Sequence, residues 1–145
     1  MYNAKLNRYK NDALKTQLAS ADPYQVIQML MAGAIDNLNL AKASIERNEK
    51  ENKSHFLSKA GAIITSLAHC LDHEAGGEVS QNLEALYVYM SERLIEANVE
   101  NNGEMVEEVM SLLKEIKSGW DAIPVETRNN VFAQKESQAS QAANT

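Results

Sequence analysis

Apolar residues recur at steps of three and four along most of this chain, and this spacing constrains the fold more than any other feature. The pattern is clearest on either side of Gly76 and Gly77, the only adjacent glycines in the sequence. Such steps place side chains on one face of a helix. Because glycine adopts a positive φ easily, we expect the pair to end one helix and reverse the chain. The two apolar rows are Phe56, Ala60, Ile63, Leu67 and Leu71 before the pair, and Val79, Leu83, Leu86, Met90, Leu94 and Ala97 after it.

Two more helices are expected, one on each side of this hairpin. Asp22, Pro23 and Gln25 have the spacing of an N-cap, a first helical residue and a capping-box partner. The second helix is expected to reach about His73, and the last follows the turn at 101–103 and ends before Pro124. Four long helices with short connections predict an all-α, antiparallel up-down four-helix bundle over residues 21–124. The apolar row of the first helix is Ile27, Leu30, Ala34, Leu38, Ala41 and Ile45, and that of the last helix is Val106, Val109, Leu113, Ile116, Trp120 and Ile123.

The two terminal segments are weakly apolar. Residues 1–20 space Tyr2, Leu6 and Tyr9 loosely, which is compatible with a frayed terminus or with an arm or short helix that caps the bundle. Residues 125–145 are mostly polar, and after Val125 the only large apolar residues are Val131 and Phe132. Because so few apolar groups cannot offset the entropy lost on ordering, we predict a disordered polar tail there.

Charge and composition exclude several classes of partner. The net charge is −6 and the pI is about 5.1, which argues against nucleic-acid binding because that function needs a basic face. No apolar run approaches the roughly 20 residues of a membrane span, so membrane insertion is not expected. Cys70 is the single cysteine and the N-terminus lacks the apolar core of a secretory signal. We therefore expect a cytoplasmic protein.

No arrangement of residues predicts catalysis. His69 and His73 are four residues apart and share a helix face, as zinc ligands can, but the metalloprotease pattern is missing. A helix C-terminus favours a partly charged His73, which is the simpler explanation. The Gly76-Gly77 pair lacks the Lys and Ser or Thr of a phosphate-binding loop. We expect no catalytic residue, no cofactor, no metal site and no enzymatic activity.

A second apolar stripe lies beside the core row of each helix. One explanation is a wide core face. The other is a set of exposed grooves that accept another helix, which the six methionines favour because methionine adapts to varied partners. Tyr87 and Tyr89 are about 200° apart on a helix, so we expect Tyr87 at the core edge or on a groove wall and Tyr89 on another face. The stripe residues are Val26, Met29, Gly33, Leu40, Leu57, Ile64, Tyr87, Ile95, Met105 and Leu112.

Several blocks, taken together, resemble the FliS family of flagellar secretion chaperones over residues 1 to about 123. The middle block, Leu71-Asp72-His73-Glu74-Ala75-Gly76-Gly77-Glu78-Val79, is the closest, and Met31 departs from the family because an aromatic residue is common there. The other matching residues are Tyr2-Asn3-Ala4, Tyr9, Ala21 to Ala34, Asn82-Leu83, Leu86 to Met90, Arg93-Leu94, Glu96 to Asn98, Glu107-Glu108-Val109, Leu112-Leu113 and Trp120.

The resemblance implies a function that composition does not show. FliS-like chaperones bind the C-terminal segment of flagellin in apolar helical grooves, prevent premature polymerisation and help deliver it to the flagellar type III export gate. The implied partners are flagellin, an export gate component and, as a further candidate, a co-chaperone. A non-catalytic helical adaptor for another secreted or regulatory helical ligand is the alternative. The predicted residues of the groove or its cap are Tyr2, Leu6, Tyr9, Met29, Leu57, Ile64, Tyr87, Ile95, Met105 and Leu112.

Overall fold

The structure, a computed structural model, describes residues 22–127. This part of the chain forms α1 (Pro23–Glu46), α2 (Lys50–His69), α3 (His73–Glu100) and α4 (Gly103–Asp121), with no β-strand among the described residues. α1 packs against α2 and α4, and α3 packs against the same two helices, most extensively between α1 and α2. The predicted all-α bundle of four helices is therefore confirmed.

The predicted terminal segments fall largely outside this range. The N-terminal arm, with Tyr2, Leu6 and Tyr9, lies outside the described residues. Of the predicted polar tail, residues 125–127 are described and are helical. The disorder predicted for 125–145 is therefore wrong at its first three positions, which directly follow Pro124 and begin a new helical turn. For the remaining tail it stays a prediction.

Side-chain caps begin three of the four helices. Asp22 accepts a hydrogen bond at Oδ1 from the backbone N–H of Gln25, at 2.8 Å, and Pro23 follows in the first turn as predicted. Asp72 caps α3 and Asn102 caps α4 in the same way. A cap satisfies backbone donors that have no partner inside the helix, which fixes where each helix begins.

The core contains one row from every helix. Leu38, Ile64, Met90 and Leu113 are fully buried, one from each helix in chain order. Leu57 and Ile64, which were predicted among the groove residues, are buried within the core, so for these two the groove prediction is wrong and the wide core face is the correct explanation of the second stripe. Phe56 and Ile63, which were placed in the core row, are only half-buried because α2 is rotated relative to the expected orientation.

Lys53 is a charged residue buried at the end of the bundle opposite the start of α1. Its side chain is 6% exposed, and Nζ donates hydrogen bonds to the backbone oxygen of Asn98 at 3.0 Å and to Oδ1 of Asn101 at 3.1 Å. The ammonium thereby satisfies a carbonyl in the last turn of α3, where the helix dipole favours positive charge. Lys53 thus ties the beginning of α2 to the end of α3.

The hairpin between α2 and α3 differs from its prediction. α2 ends at His69, and the reversal lies at residues 70–72 because the Asp72 cap starts a new helix at once. The two glycines therefore lie inside α3, where Gly77 has φ +50° and ψ −122° and kinks the helix. Ser80 Oγ donates to the backbone oxygen of Asp72 at 3.0 Å and holds the short turn before the kink against the longer part of α3. Val79, placed in the core row, is 66% exposed beyond this kink.

Candidate functional site

An apolar cavity of about 640 Å³ opens at the end of the bundle where α1 and α3 begin and α2 and α4 end. All four helices, the turn at 70–72 and the segment after α4 contribute to its wall. The lining residues are Pro23, Tyr24, Val26, Ile27, Met31, Leu67, Cys70, Leu71, Asp72, Ala75, Gly76, Ser80, Leu83, Tyr87, Ile116, Trp120, Ile123 and Thr127. Pockets of this size and apolar character commonly hold ligands in proteins.

A reciprocal contact between Tyr24 and Trp120 forms one wall of the cavity. The two rings stack with centroids 5.2 Å apart and planes inclined by 14°. The Tyr24 hydroxyl donates to the backbone oxygen of Trp120 at 2.8 Å, and Trp120 Nε1 donates to the backbone oxygen of Tyr24 at 3.1 Å. Stacking and two hydrogen bonds together join the start of α1 to the end of α4. We call this pair the Tyr24–Trp120 latch.

The opposite wall is the kinked start of α3. Ala75 and Gly76, from the turn before the kink, line the cavity together with Ser80 beyond it. A Cβ atom added at Gly76 would collide with Oγ of Ser80, so the absence of a side chain there is what lets the turn lie so close. The two glycines thus shape the cavity wall: Gly76 permits the close approach and Gly77 supplies the kink.

Few polar groups face this cavity. Tyr87 is 3% exposed, and burial, followed by the nearby Cys70, raises the pKa of its hydroxyl above the ordinary value. Cys70 itself is an exposed free thiol at the C-cap of α2. The cavity wall is suited to binding apolar side chains, and it presents no paired acid and base for catalysis among the residues that line it.

The histidine pair considered for zinc does not assemble a site in the described part of the chain. No group of three or more potential ligands occurs within residues 22–127. His73 Nε2 lies 3.3 Å from Glu84 Oε2, so this histidine contacts α3 beyond the kink. Among the same residues, no helix has the length and apolar character that crossing a membrane requires.

A charged cluster on the outer surface joins α3 to α4. Glu108 accepts hydrogen bonds from the Tyr89 hydroxyl at 2.6 Å and from Arg93 Nε at 2.7 Å, and Arg93 also contacts Glu96 at 3.1 Å. The hydrogen bond from Tyr89 is the largest cause that lowers the pKa of Glu108, and the hydrogen bond from Arg93 is the next. The bond between Tyr89 and Glu108 also raises the pKa of Tyr89. Tyr89 is 41% exposed, so the expectation that it and Tyr87 lie on different faces is confirmed.

The structure does not bring the predicted partner-binding residues together. Tyr87 lines the cavity, whereas Ile95 is 66% exposed on the outer face of α3. Leu57 and Ile64 lie in the core and are corrected above. Tyr2, Leu6 and Tyr9 lie outside the described residues, and the half-buried residues of the set are Met29, Met105 and Leu112.

Most of the cavity wall was missed by the pattern of apolar residues. Leu71, Leu83 and Trp120 were assigned to the core row, because spacing shows which face a residue occupies but not whether the helices separate at that level. Val26 was noted only as part of a second stripe. The Gly76-Gly77 pair carried the missing signal, because these glycines permit the kinked turn that forms part of the cavity wall.

Comparison with known proteins gives a consistent family. Residues 5–127 match the family described as "Flagellar protein FliS". The chain is 40% identical to the flagellar secretion chaperone FliS of Vibrio cholerae over 89% of this chain and 95% of that protein, and 41% identical to FliSB of Pseudomonas aeruginosa over 85% and 98%. It is 31% identical to FliS of Bacillus subtilis over 77% and 80%. On this evidence the chain belongs to the FliS family of flagellar secretion chaperones.

Proposed function

We propose that this protein is a cytoplasmic export chaperone that binds the C-terminal segment of flagellin. Its apolar cavity accepts apolar side chains of that segment, which folds into helices over the bundle and is thereby kept from polymerising prematurely. The observation that carries the proposal is the open cavity of about 640 Å³ in a chain of this family. A helix laid in an apolar groove is a common mode of peptide recognition.

The energetics of such binding favour a large apolar surface. A segment that folds as it binds loses about 2–5 kcal/mol of its gross interaction energy in ordering. At about 25 cal/mol per Å², roughly 200 Å² of apolar surface removed from water offsets the upper end of that cost. Ile27, Leu83 and Ile116 in the cavity wall supply such apolar surface, and binding to it requires no covalent chemistry.

The N-terminal arm has a capping role in this proposal. Tyr2, Leu6 and Tyr9 cover part of the flagellin groove in the free chain, and flagellin displaces them. Deleting residues 2–18 should therefore raise the binding of a dye specific for apolar surfaces and increase the affinity for flagellin. If neither quantity changes, the arm does not cap the groove.

Delivery to the export gate completes the proposed function. The arm contacts a component of the gate once flagellin has released it, with a co-chaperone as a further partner. Binding of the chaperone–flagellin complex to the purified cytoplasmic part of the gate should fall when residues 2–18 are deleted. Equal binding of the full and shortened chains would remove the arm from this step.

Binding to flagellin is tested with a peptide of about the last forty flagellin residues and the full chain. We expect a 1:1 complex, a gain in helicity by circular dichroism and a change in the emission of Trp120, the single tryptophan, which lines the cavity. Replacing Val26→Asn places a polar group on the cavity wall without removing a residue of the core cluster. The affinity should fall about tenfold, since burying an unpaired amide costs roughly 1–3 kcal/mol.

Val99→Asn is the matched control, because Val99 is 81% exposed and does not line the cavity. Its affinity for the peptide should equal that of the unchanged chain. No binding of the unchanged chain at micromolar concentrations would remove flagellin as the ligand. The adaptor for another secreted or regulatory helical ligand would then be the remaining explanation of the cavity.

A further inference from the structure

Most of the polar side chains in the cavity wall already have hydrogen-bond partners. The hydroxyl of Tyr24 donates within the Tyr24–Trp120 latch. Ser80 Oγ donates to the backbone oxygen of Asp72, and the carboxylate of Asp72 caps α3. Because a hydroxyl has a single proton to donate, Tyr24 and Ser80 have no donor left for a ligand.

The hydroxyl of Tyr87 differs, because it makes no hydrogen bond within residues 22–127. In this part of the chain, no side-chain nitrogen or oxygen that is fully shielded from solvent lacks a partner. The exposed 3% of Tyr87 must therefore include its hydroxyl. Tyr87 and the nearby Cys70 both line the cavity. A buried side chain thus directs one unpaired donor into an otherwise apolar space.

This donor changes what the cavity accepts. Burial raises the pKa of Tyr87, so the hydroxyl keeps its proton at neutral pH. In the free chain, water reaches the hydroxyl through the open cavity. A ligand that fills the cavity expels this water, and the hydroxyl then loses free energy unless the ligand supplies an acceptor. Two ligands of equal shape should therefore bind differently when only one carries an acceptor.

We propose that the hydroxyl of Tyr87 selects ligands that place a neutral carbonyl oxygen in the cavity, to which it donates a hydrogen bond. The inference rests on the proposed function, because it specifies which atom of the flagellin segment the cavity recognises. A carboxylate is disfavoured, since burying a charge in apolar surroundings is costly. The oxygen belongs to an Asn or Gln side chain, or to the last turn of a bound helix, where carbonyls lack partners.

Two matched probes test this selection without flagellin. 2-Acetylnaphthalene carries a carbonyl oxygen, and 2-ethylnaphthalene has nearly the same shape without one. Binding is followed by NMR at the indole N–H of Trp120, the single tryptophan, which lines the cavity. In Tyr87→Phe the ratio of the two dissociation constants should change about tenfold in favour of the hydrocarbon, because the ketone loses a hydrogen bond and the hydrocarbon no longer leaves a donor unpaired.

Tyr89→Phe is the matched control, because Tyr89 is 41% exposed and does not line the cavity. This variant should leave the ratio unchanged. The urea midpoint of Tyr87→Phe should equal or exceed that of the unchanged chain, since the hydroxyl that it removes has no partner among the described residues. An unchanged ratio in Tyr87→Phe would overturn the proposal. So would a lower urea midpoint, which would show that the hydroxyl is already bonded in the free chain.

The flagellin peptide separates this inference from the proposed function. Its dissociation constant should be about fivefold higher for Tyr87→Phe than for the unchanged chain. Each Asn and Gln of the peptide is then replaced in turn by Met. One replacement that abolishes the difference assigns the oxygen to that side chain, and a difference that survives every replacement assigns it to the main chain.

The remaining outcomes decide the two proposals independently. Equal binding of the peptide to Tyr87→Phe and to the unchanged chain would overturn the inference and leave the proposed function standing. No peptide binding, together with the changed ratio of the two probes, would remove flagellin as the ligand and retain the selection by Tyr87.

Discussion

Some contacts between helices at the surface of this bundle depend on single polar residues, which the spacing of apolar residues does not predict. Glu108 is such a residue: its carboxylate, 39% exposed, accepts hydrogen bonds from Tyr89 and Arg93 on the neighbouring helix. Both bonds favour the ionised form, so the pKa of Glu108 lies below its ordinary value of 4.5. The cluster thereby links α3 and α4, which meet less extensively than the other neighbouring pairs of helices.

This lowered pKa predicts how the stability of the chain depends on pH. Because the pKa of Glu108 is lower in the folded than in the unfolded chain, the stabilisation is present above about pH 4.5 and is lost as the pH falls through the folded value. The difference in urea midpoint between the unchanged chain and Glu108→Gln should therefore be largest near neutral pH and shrink below pH 4.5. Glu115→Gln, at an exposed position of the same helix, is the control.

A direct titration separates the two donors. In Tyr89→Phe the pKa of Glu108, followed by NMR, should rise towards 4.5, because the hydroxyl of Tyr89 is the larger cause of the shift. An unchanged pKa in this variant would contradict the assignment and leave Arg93 as the sole cause.

At the scale of the element, spacing predicted the faces of the helices better than their ends. The apolar rows placed Leu38, Met90 and Leu113 in the core correctly, since a three-four repeat defines a face directly. The end of α2 and the kink of α3 were missed because Asp72 begins a helix before the glycines are reached. The Asp72 cap and the Gly76-Gly77 pair predict different positions for the turn, and apolar spacing alone does not decide between them.

The glycines of α3 and α2 lead to opposite predictions for the same substitution. Gly77→Ala should lower stability by about 1–2 kcal/mol, because φ is +50° there and a side chain is strained in that region. Gly61→Ala should raise stability by roughly 0.5–1 kcal/mol, because Gly61 lies within helix α2 and an added Cβ meets no atom within 4 Å. Urea unfolding monitored by circular dichroism measures both. A stabilising Gly77→Ala would show that the kink relaxes without cost.

For the whole molecule, the latch between Tyr24 and Trp120 closes the ring of four helices, because it joins the first helix to the last. Apolar spacing placed Trp120 on the buried face, and Pro23 correctly marked the start of α1. Apolar spacing did not reveal the cavity beside this contact, because the cavity is formed by side chains from all four helices at one level. The candidate site was therefore predicted only at Tyr87, while the fold was predicted almost completely.

Two substitutions of Trp120 separate the contribution of its hydrogen bond to stability from that of ring stacking in the Tyr24–Trp120 latch. Trp120→Phe keeps a ring against Tyr24 but removes the N–H donor, so stability should fall by about 1 kcal/mol. Trp120→Leu also removes the stack and should cost a further 0.5–1.5 kcal/mol beyond the loss of buried area. Thermal unfolding and hydrogen exchange of the first turn of α1 measure both effects. If the two variants are equally stable, stacking contributes nothing to the latch.

The arrangement that places the start of α1 and the end of α4 together has a practical consequence. Pro23 and Thr127 both line the cavity, so the chain leaves the bundle beside it in both directions. An affinity tag or fluorescent protein fused to either terminus is therefore connected to the bundle at the end that carries the cavity. The turn at residues 47–49 lies at the opposite end of the bundle. A label inserted there leaves the mouth unobstructed, and comparing it with a terminal label shows how far the usual tags distort a measured affinity.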